Sequence, residues 1–324
     1  MSRLGTTVRS RFGDEVLDRL VGPLVGGINA GDADHLSLRA VTPQLAEALS
    51  RHRSLLVGLR TMPRPGHDEA VFVAPLSGVS SLVPRLVSTI EDGGGTVCHR
   101  AAVEAVEPRR HGGWAVTATG RSEPFDADAV VLTAPAPAAA VLLRPVNVEV
   151  ADLLASIAYA SVAMVTLALA DDALRRPLDG SGYLVPRAEQ RTITACSWGS
   201  SKWDHWRRPG QVLLRASAGR AGDERALDLD DHELTSAVLD DLDRHLGVTG
   251  QPTAVRITRW WSSMPQYAPG HAERIDRLEA LLTAAAPGLH LAGAAYRGLG
   301  VPACIAQGQA AARAALATIG QRTH

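Results

Sequence analysis

The chain has 324 residues, which is room for about two domains of ordinary size. Hydrophobic residues make up 46% and charged residues 21%, ordinary globular usage that excludes disorder as the starting point. A formal charge of −1 excludes a protein whose main business is nucleic acid, and nearly all the cations are arginine, with Lys202 the single lysine.

In chain order, a helix is predicted from Asp14, with Val16, Leu17, Leu20 and Val21 on one face and Gly26-Gly27 and Ala30-Gly31-Asp32 ending it. Thr42-Pro43 starts another, with Thr42 as cap. Arg60 to His67 reads as a loop and a boundary. Strands and helices then alternate. Val71-Phe72-Val73 is a short strand, Ser80 to Glu91 a helix closed by Gly93-Gly94-Gly95, and Thr96 to His99 and Ala102 to Glu107 are strands. His111-Gly112-Gly113 turns into Trp114 to Thr117, and Asp128 to Thr133 is a buried strand running into Ala134-Pro135-Ala136-Pro137. The middle is β-rich: Ser161 to Leu169, Ser181 to Val185, Thr192 to Ser197 and Val212 to Ala218. A helix capped by Asp230 runs through Arg244, a strand covers Ala254 to Trp260, and Ala272 to Ala286, Leu289 to Gly293 and Val301 to Ile319 form a last helix, strand and helix. The fold class is mixed α/β with a discontinuous architecture.

Cys98, Cys196 and Cys304 form no CxxC pair and their number is odd, which disfavours a disulfide framework and a cysteine metal site. No HExxH or G-x-S-x-G occurs, so metalloprotease and hydrolase chemistry find no support. The longest apolar stretch, Val130 to Leu143, is short and interrupted by Pro135 and Pro137, and the N-terminus carries no apolar signal core. A cytoplasmic location is the expectation.

Gly298-Leu299-Gly300-Val301-Pro302-Ala303 fits G-x-G-x-x-A between a strand and a helix. Three readings stay open: a pyrophosphate loop, a tight strand-to-helix turn with Pro302 preset for the first turn, or a helix N-terminus facing negative charge on a cofactor ring. The first lacks the returning strand and the ribose acid, and Pro302 removes an amide donor. Arg187, Arg191, Arg207 and Arg208 lie near Trp198, Trp203 and Trp206. The group reads as a solvated loop ahead of a nucleic-acid or acidic-ligand surface, because the net charge is not basic. Trp260-Trp261 reads as core or as a cofactor wall.

Three separated stretches carry a resemblance. They are Arg11 to Val16 with Pro23 to Asp32 and Leu36-Ser37; Trp260 with Met264 to Tyr267 and Gly270-His271; and Leu291 to Gly298 with Ala303-Cys304-Ile305. In this order they resemble the oxygen-dependent protoporphyrinogen/coproporphyrinogen oxidases, FAD-dependent flavoproteins of the amine-oxidase-like type. Asn29 departs from the pattern, standing where the family often has an aromatic. The resemblance covers roughly the last two thirds of a family member and omits the N-terminal Rossmann unit with its own G-x-G-x-x-G.

The resemblance implies a helical, substrate- or membrane-side domain at 1–65, an FAD-binding domain from 66–142 and 287–324, and a β-rich substrate domain at 143–286. With the Rossmann unit absent, Val130, Val131, Leu132 and Leu291 are expected to expose apolar area. For the cofactor it implies Val103 at the adenine end, Trp260 and Ala294 beside the flavin, and Leu299, Gly300 and Val301 against the pyrimidine side of the ring. For the substrate it implies Tyr183, Leu184 and Trp203. The implied reaction takes a porphyrinogen to the porphyrin, with dioxygen as acceptor, in heme biosynthesis. Coproporphyrinogen III is favoured over protoporphyrinogen IX, and no general base is named. The implied partners are the porphyrinogen and dioxygen, a second copy or a complementing N-terminal segment, and a peripheral membrane contact, with no nucleic acid. The alternatives are a non-catalytic tetrapyrrole-binding or partner-docking module, or another amine-oxidase-like flavoenzyme.

Overall fold

The computed structural model describes residues 2–62 and 72–322. Its first unit is helical. Helices at Leu4–Phe12, Gly22–Asn29 and Pro43–Arg51 pack Leu4, Val8, Val25, Leu36 and Leu38 into one core. Leu4–Phe12 was not anticipated, and Gly26-Gly27 does not end its helix. The chain stays helical to Asn29, and Ala30 stops it in the left-handed region at φ 49°. Thr42 does stand at the N-cap position, but its hydroxyl donates to the Leu38 carbonyl rather than capping the helix. Val71 lies outside the described residues, Phe72-Val73 pairs with no strand, and neither does Thr96 to His99.

β1 (Val103–Pro108), β2 (Trp114–Ala118) and β3 (Phe125–Ala127) form an antiparallel meander. β4 (Val130–Leu132) follows. The chain then enters a five-stranded antiparallel sheet made of β5 (Tyr159–Ala170), β6 (Gly182–Leu184), β7 (Ile193–Trp198), β8 (Gln211–Ala218) and β9 (Ala254–Pro265), in the order β6-β7-β8-β5-β9. β10 (Leu289–Leu291) returns to pair with β4 in parallel, matching Leu291 to Leu132, and the Val301–Arg322 helix closes the chain.

Strict alternation along β5 explains the sheet. Ala163, Val165, Leu167 and Leu169 are fully buried beneath Leu234, Val238 and Leu242, one stripe of the Asp231–Leu246 helix. Asp230 and Glu233 close a reciprocal capping box at its start, and Gly247 ends it in the left-handed conformation. The other sheet face carries Val162, Met164 and Thr166, in register with Trp260, Thr258 and Arg256 of β9.

The packed cores divide the chain differently from the boundaries at 143 and 286. The core around β4 and β10 also takes in Val150, Leu154, Ile275, Leu278 and Leu282, from helices at Val148–Ala155 and His271–Ala285. These helices are amphipathic and lie against the parallel pair, so they belong with it and not with the five-stranded sheet. Of the residues expected to be bare there, Leu132 is buried, Val130 and Leu291 are half-buried, and Val131 is exposed.

Candidate functional site

β9 ends at Pro265, and the next few residues touch three parts of the fold. The Gln266 side-chain amide donates to the carbonyl of Asn29 at 2.9 Å. The Tyr267 carbonyl accepts the Ser37 amide at 2.7 Å. The Tyr267 hydroxyl donates to the Ala294 carbonyl at 2.7 Å and accepts the Gly298 amide at 2.9 Å. The phenol is buried and lies flat on the His271 ring, with centroids 3.9 Å apart and planes 13° from parallel. Burial pushes its pKa up to about 12, so it stays a neutral donor.

His271 is buried as well, and burial holds it below the usual histidine range. Its Nε2 faces the Tyr296 carbonyl at 2.8 Å, an acceptor only, so Nε2 carries the proton and Nδ1 is left as an unpartnered buried acceptor. Arg297 is pinned from outside by Asp276 at 2.8 Å and Glu279 at 2.6 Å.

These bonds set the path of the chain between β10 and the last helix. Gly293 and Gly298 hold φ near +137° and +136°, which a side chain would strain, and a Cβ on Gly298 would fall 2.7 Å from the Ala303 Cβ. The amides of Leu299, Gly300 and Val301 meet no protein acceptor among the described residues. The turn therefore presents free N–H groups at the positive end of a long helix. Ala294, Leu299, Gly300 and Val301 are thus gathered in one place, while Val103 and Trp260 stand on two other sheets, both exposed.

The sheet face away from the core carries Leu184, in register with Ala195, and the Gly22–Asn29 helix rests on it. A Cβ on Gly27 would meet Leu184 Cδ2 at 2.7 Å. Tyr183 points to the opposite side. It packs against the sheet's buried core, with its hydroxyl 3.2 Å from His245 Nδ1 and its ring edge-on to Trp198. That placement counts against a ligand contact for Tyr183, because neighbouring strand residues face opposite ways. Trp203 lines a cavity of about 700 Å³ with Trp206, Lys202, Arg208 and the sheet residues Ser197 and Arg215. The cations grouped in sequence are thereby divided: Arg208 lies at this cavity, and Arg187 and Arg191 lie at other pockets.

The Tyr267 junction, Arg215 and the Lys202 contact were not singled out from sequence as site features, although Met264 to Tyr267 was part of the second matched stretch. Among the described residues no group of three His, Cys, Asp or Glu side chains is placed to hold a metal, and no helix is long and apolar enough to cross a membrane.

Residues 3–316 match the family described as flavin containing amine oxidoreductase. The chain is 36% identical over 317 residues to the coproporphyrinogen III oxidase of Bacillus subtilis strain 168, covering 97% of this chain and 67% of that protein. It is 31% identical over 326 residues to the coproporphyrinogen III oxidase of Staphylococcus aureus strain NCTC 8325, covering 98% and 69%. A crystal structure of an Exiguobacterium sp. 255-15 protein, assigned as a protoporphyrinogen oxidase, is similar with a TM-score of 0.82 at 32% identity, covering 99% of this chain and 67% of that one. The chain spans about two thirds of the length of these relatives.

Proposed function

Because the chain belongs to the family of flavin containing amine oxidoreductases, we propose that it works in the oxidation of a porphyrinogen to the porphyrin, with FAD as the flavin and dioxygen as acceptor. The observation that carries this is the 36% identity, across 97% of the chain, to a coproporphyrinogen III oxidase. Coproporphyrinogen III is the preferred substrate over protoporphyrinogen IX, in heme biosynthesis in the cytoplasm.

The turn after β10 fits the ring end of a flavin. Its bare glycines let a flat ring approach the backbone, and its free amides can donate to the ring's pyrimidine oxygens. A flavin held there would supply two-electron oxidation, three rounds of which, each returning its electrons to one dioxygen to give peroxide, would take the porphyrinogen to the porphyrin. Leu299, Gly300 and Val301 would hold the ring through their N–H groups, and the helix dipole would favour negative charge on it. Tyr267 keeps these donors in place through Gly298. Leu184 and Trp260 provide apolar surface for a macrocycle, and Lys202, Arg208 and Arg215 provide cations for its carboxylates. We assign the pyrophosphate part of the site to a complementing N-terminal segment.

The test expresses the chain alone and joined to the third of the Bacillus subtilis oxidase that it does not match. The joined protein should retain FAD, and the chain alone should hold little. Porphyrin fluorescence and peroxide should then appear with coproporphyrinogen III at a higher kcat/KM than with protoporphyrinogen IX. The reverse order would overturn the substrate choice. A flavin-loaded protein that oxidises neither would replace the enzyme reading with a docking module.

A further inference from the structure

Between the Gly22–Asn29 helix and the loops that follow β6 and β8 lies a cavity of about 260 Å³. Gly22, Gly26 and Gly31 form one wall, and Arg187 and Arg220 stand on the other. A Cβ on Gly26 would meet nothing closer than the Gly31 carbonyl oxygen at 3.7 Å, so the space exists because side chains are missing there.

Arg220 is 5% exposed, and its Nε has no partner. The carboxylate beside it, Asp223, stands 3.8 Å away and is already engaged by Arg225 at 2.8 and 3.1 Å. Arg187 brings a second guanidinium, anchored by one bond of 2.6 Å to the Ala221 carbonyl. The acids of the far wall include Asp34, which is held by Arg9 at 2.9 and 3.0 Å, and Asp32, which accepts the Asp34 amide and faces His35 at 3.2 Å. Asp18 is the third acid of the lining. Burial, with Arg187 adding to it, holds Arg220 below the ordinary arginine value. Asp223, shared with Arg225, only partly offsets the burial of this guanidinium, and a bound anion would supply the partner that its Nε lacks.

We propose that Arg220 and Arg187 form a carboxylate site, filled by one propionate arm of the porphyrinogen. The identity of the arm rests on the function proposed above; the carboxylate chemistry does not. A guanidinium fork matches a carboxylate with two parallel bonds. The cavity is smaller than the ~300–1,000 Å³ that holds a whole drug-sized ligand, so it suits an arm and not a macrocycle. It also lies beside the open sheet face. Gly27, next to Gly26, is the residue on which Leu184 rests, and Leu184 precedes Arg187 in the same loop.

The test titrates the full chain with coproporphyrin III, a tetracarboxylate, with protoporphyrin IX, a dicarboxylate, and with glutarate. It compares the unaltered chain with Arg220→Gln, Arg187→Gln and Gly26→Leu, the last filling the cavity while keeping both arginines. Loss of the site should weaken coproporphyrin III by about tenfold, the scale of a charge-assisted bond, and protoporphyrin IX by much less. If instead glutarate binds and is lost in the variants while coproporphyrin III is unaffected, the carboxylate site stands and the porphyrin arm is overturned. If coproporphyrin III fails to bind the unaltered chain, the porphyrinogen reading fails, and glutarate alone decides the site. Unchanged binding of all three ligands in both Arg220→Gln and Gly26→Leu would overturn the proposal and leave Arg220 to water.

Discussion

In the five-stranded sheet, Leu167 and Leu169 of β5 are sealed beneath a capped helix, with none of their surface left to solvent. Beside the parallel pair β4 and β10 the Val301–Arg322 helix runs with Val301 54% and Ile305 53% exposed, and Val131 of β4 is exposed too. The first region is built from strands joined in antiparallel fashion and completes its own core. The second joins strands that lie far apart in the chain, matching Leu289 to Val130, and parallel sheets are ordinarily covered on both faces. The parallel pair is thus packed on one face and thinner on the other, and the glycine turn after β10 sits at its end.

The sharpest way to break this contrast is to truncate one residue in each region. Leu167→Ala should cost about 2–5 kcal/mol in denaturant melts, as buried leucines do. Ile305→Ser should stay within about 0.5 kcal/mol, as exposed positions do. Similar costs at both sites would abolish the distinction.

Next in size is Tyr267→Phe, which strips the Gly298 amide and the Ala294 carbonyl of their shared partner. The expected loss is about 1–3 kcal/mol. Hydrogen exchange should accelerate at Gly298 and leave the β5 amides unchanged; acceleration in β5 would mean that the two regions unfold as one.

The smallest effect is with pH. His271 titrates below the ordinary value of 6.5 in the folded chain, so between the two values the unfolded chain binds more protons. Stability is therefore full above that range and falls as pH drops through it. His271→Gln should flatten the decline, by at most about 1.4 kcal/mol per pH unit, leaving the smaller parts from His245 and His290. Identical slopes in the two proteins would remove His271 from the account.

Sequence periodicity was most informative where the physics is local. β5 alternates, and Asp230-x-x-Glu233 marks its helix, so these elements could be read directly, whereas β9 does not alternate and runs five residues past Trp260. Gly26-Gly27 misled because a glycine pair resembles a stop, whereas Gly27 is there to let Leu184 approach. Pro135 and Pro137 read as breakers but begin the Ala136–Leu143 helix, where proline is tolerated. Tyr183 and Leu184 differ by one position on a strand, which is enough to send one inward and the other outward. The glycine turn was visible as a motif, but the Tyr267 hydroxyl that holds it from 31 residues away was not. Arg220 gave no sequence signal at all, since the burial that leaves its Nε without a partner is a property of distant loops brought together.

Gln266 and Tyr267 also decide how the molecule can move. A swing of the helical unit away from the glycine turn after β10 would break Gln266 to Asn29 and Ser37 to Tyr267 together, and the Ala221 to Ala30 bond would resist it from the other side. At about 1 kcal/mol net for each bond, these neighbours act as a latch against hinge opening. The wall around Trp203 and Trp206 carries no such latch to the helical unit. Side chains can therefore rearrange at that wall while these three bonds stay intact and the helical unit stays docked.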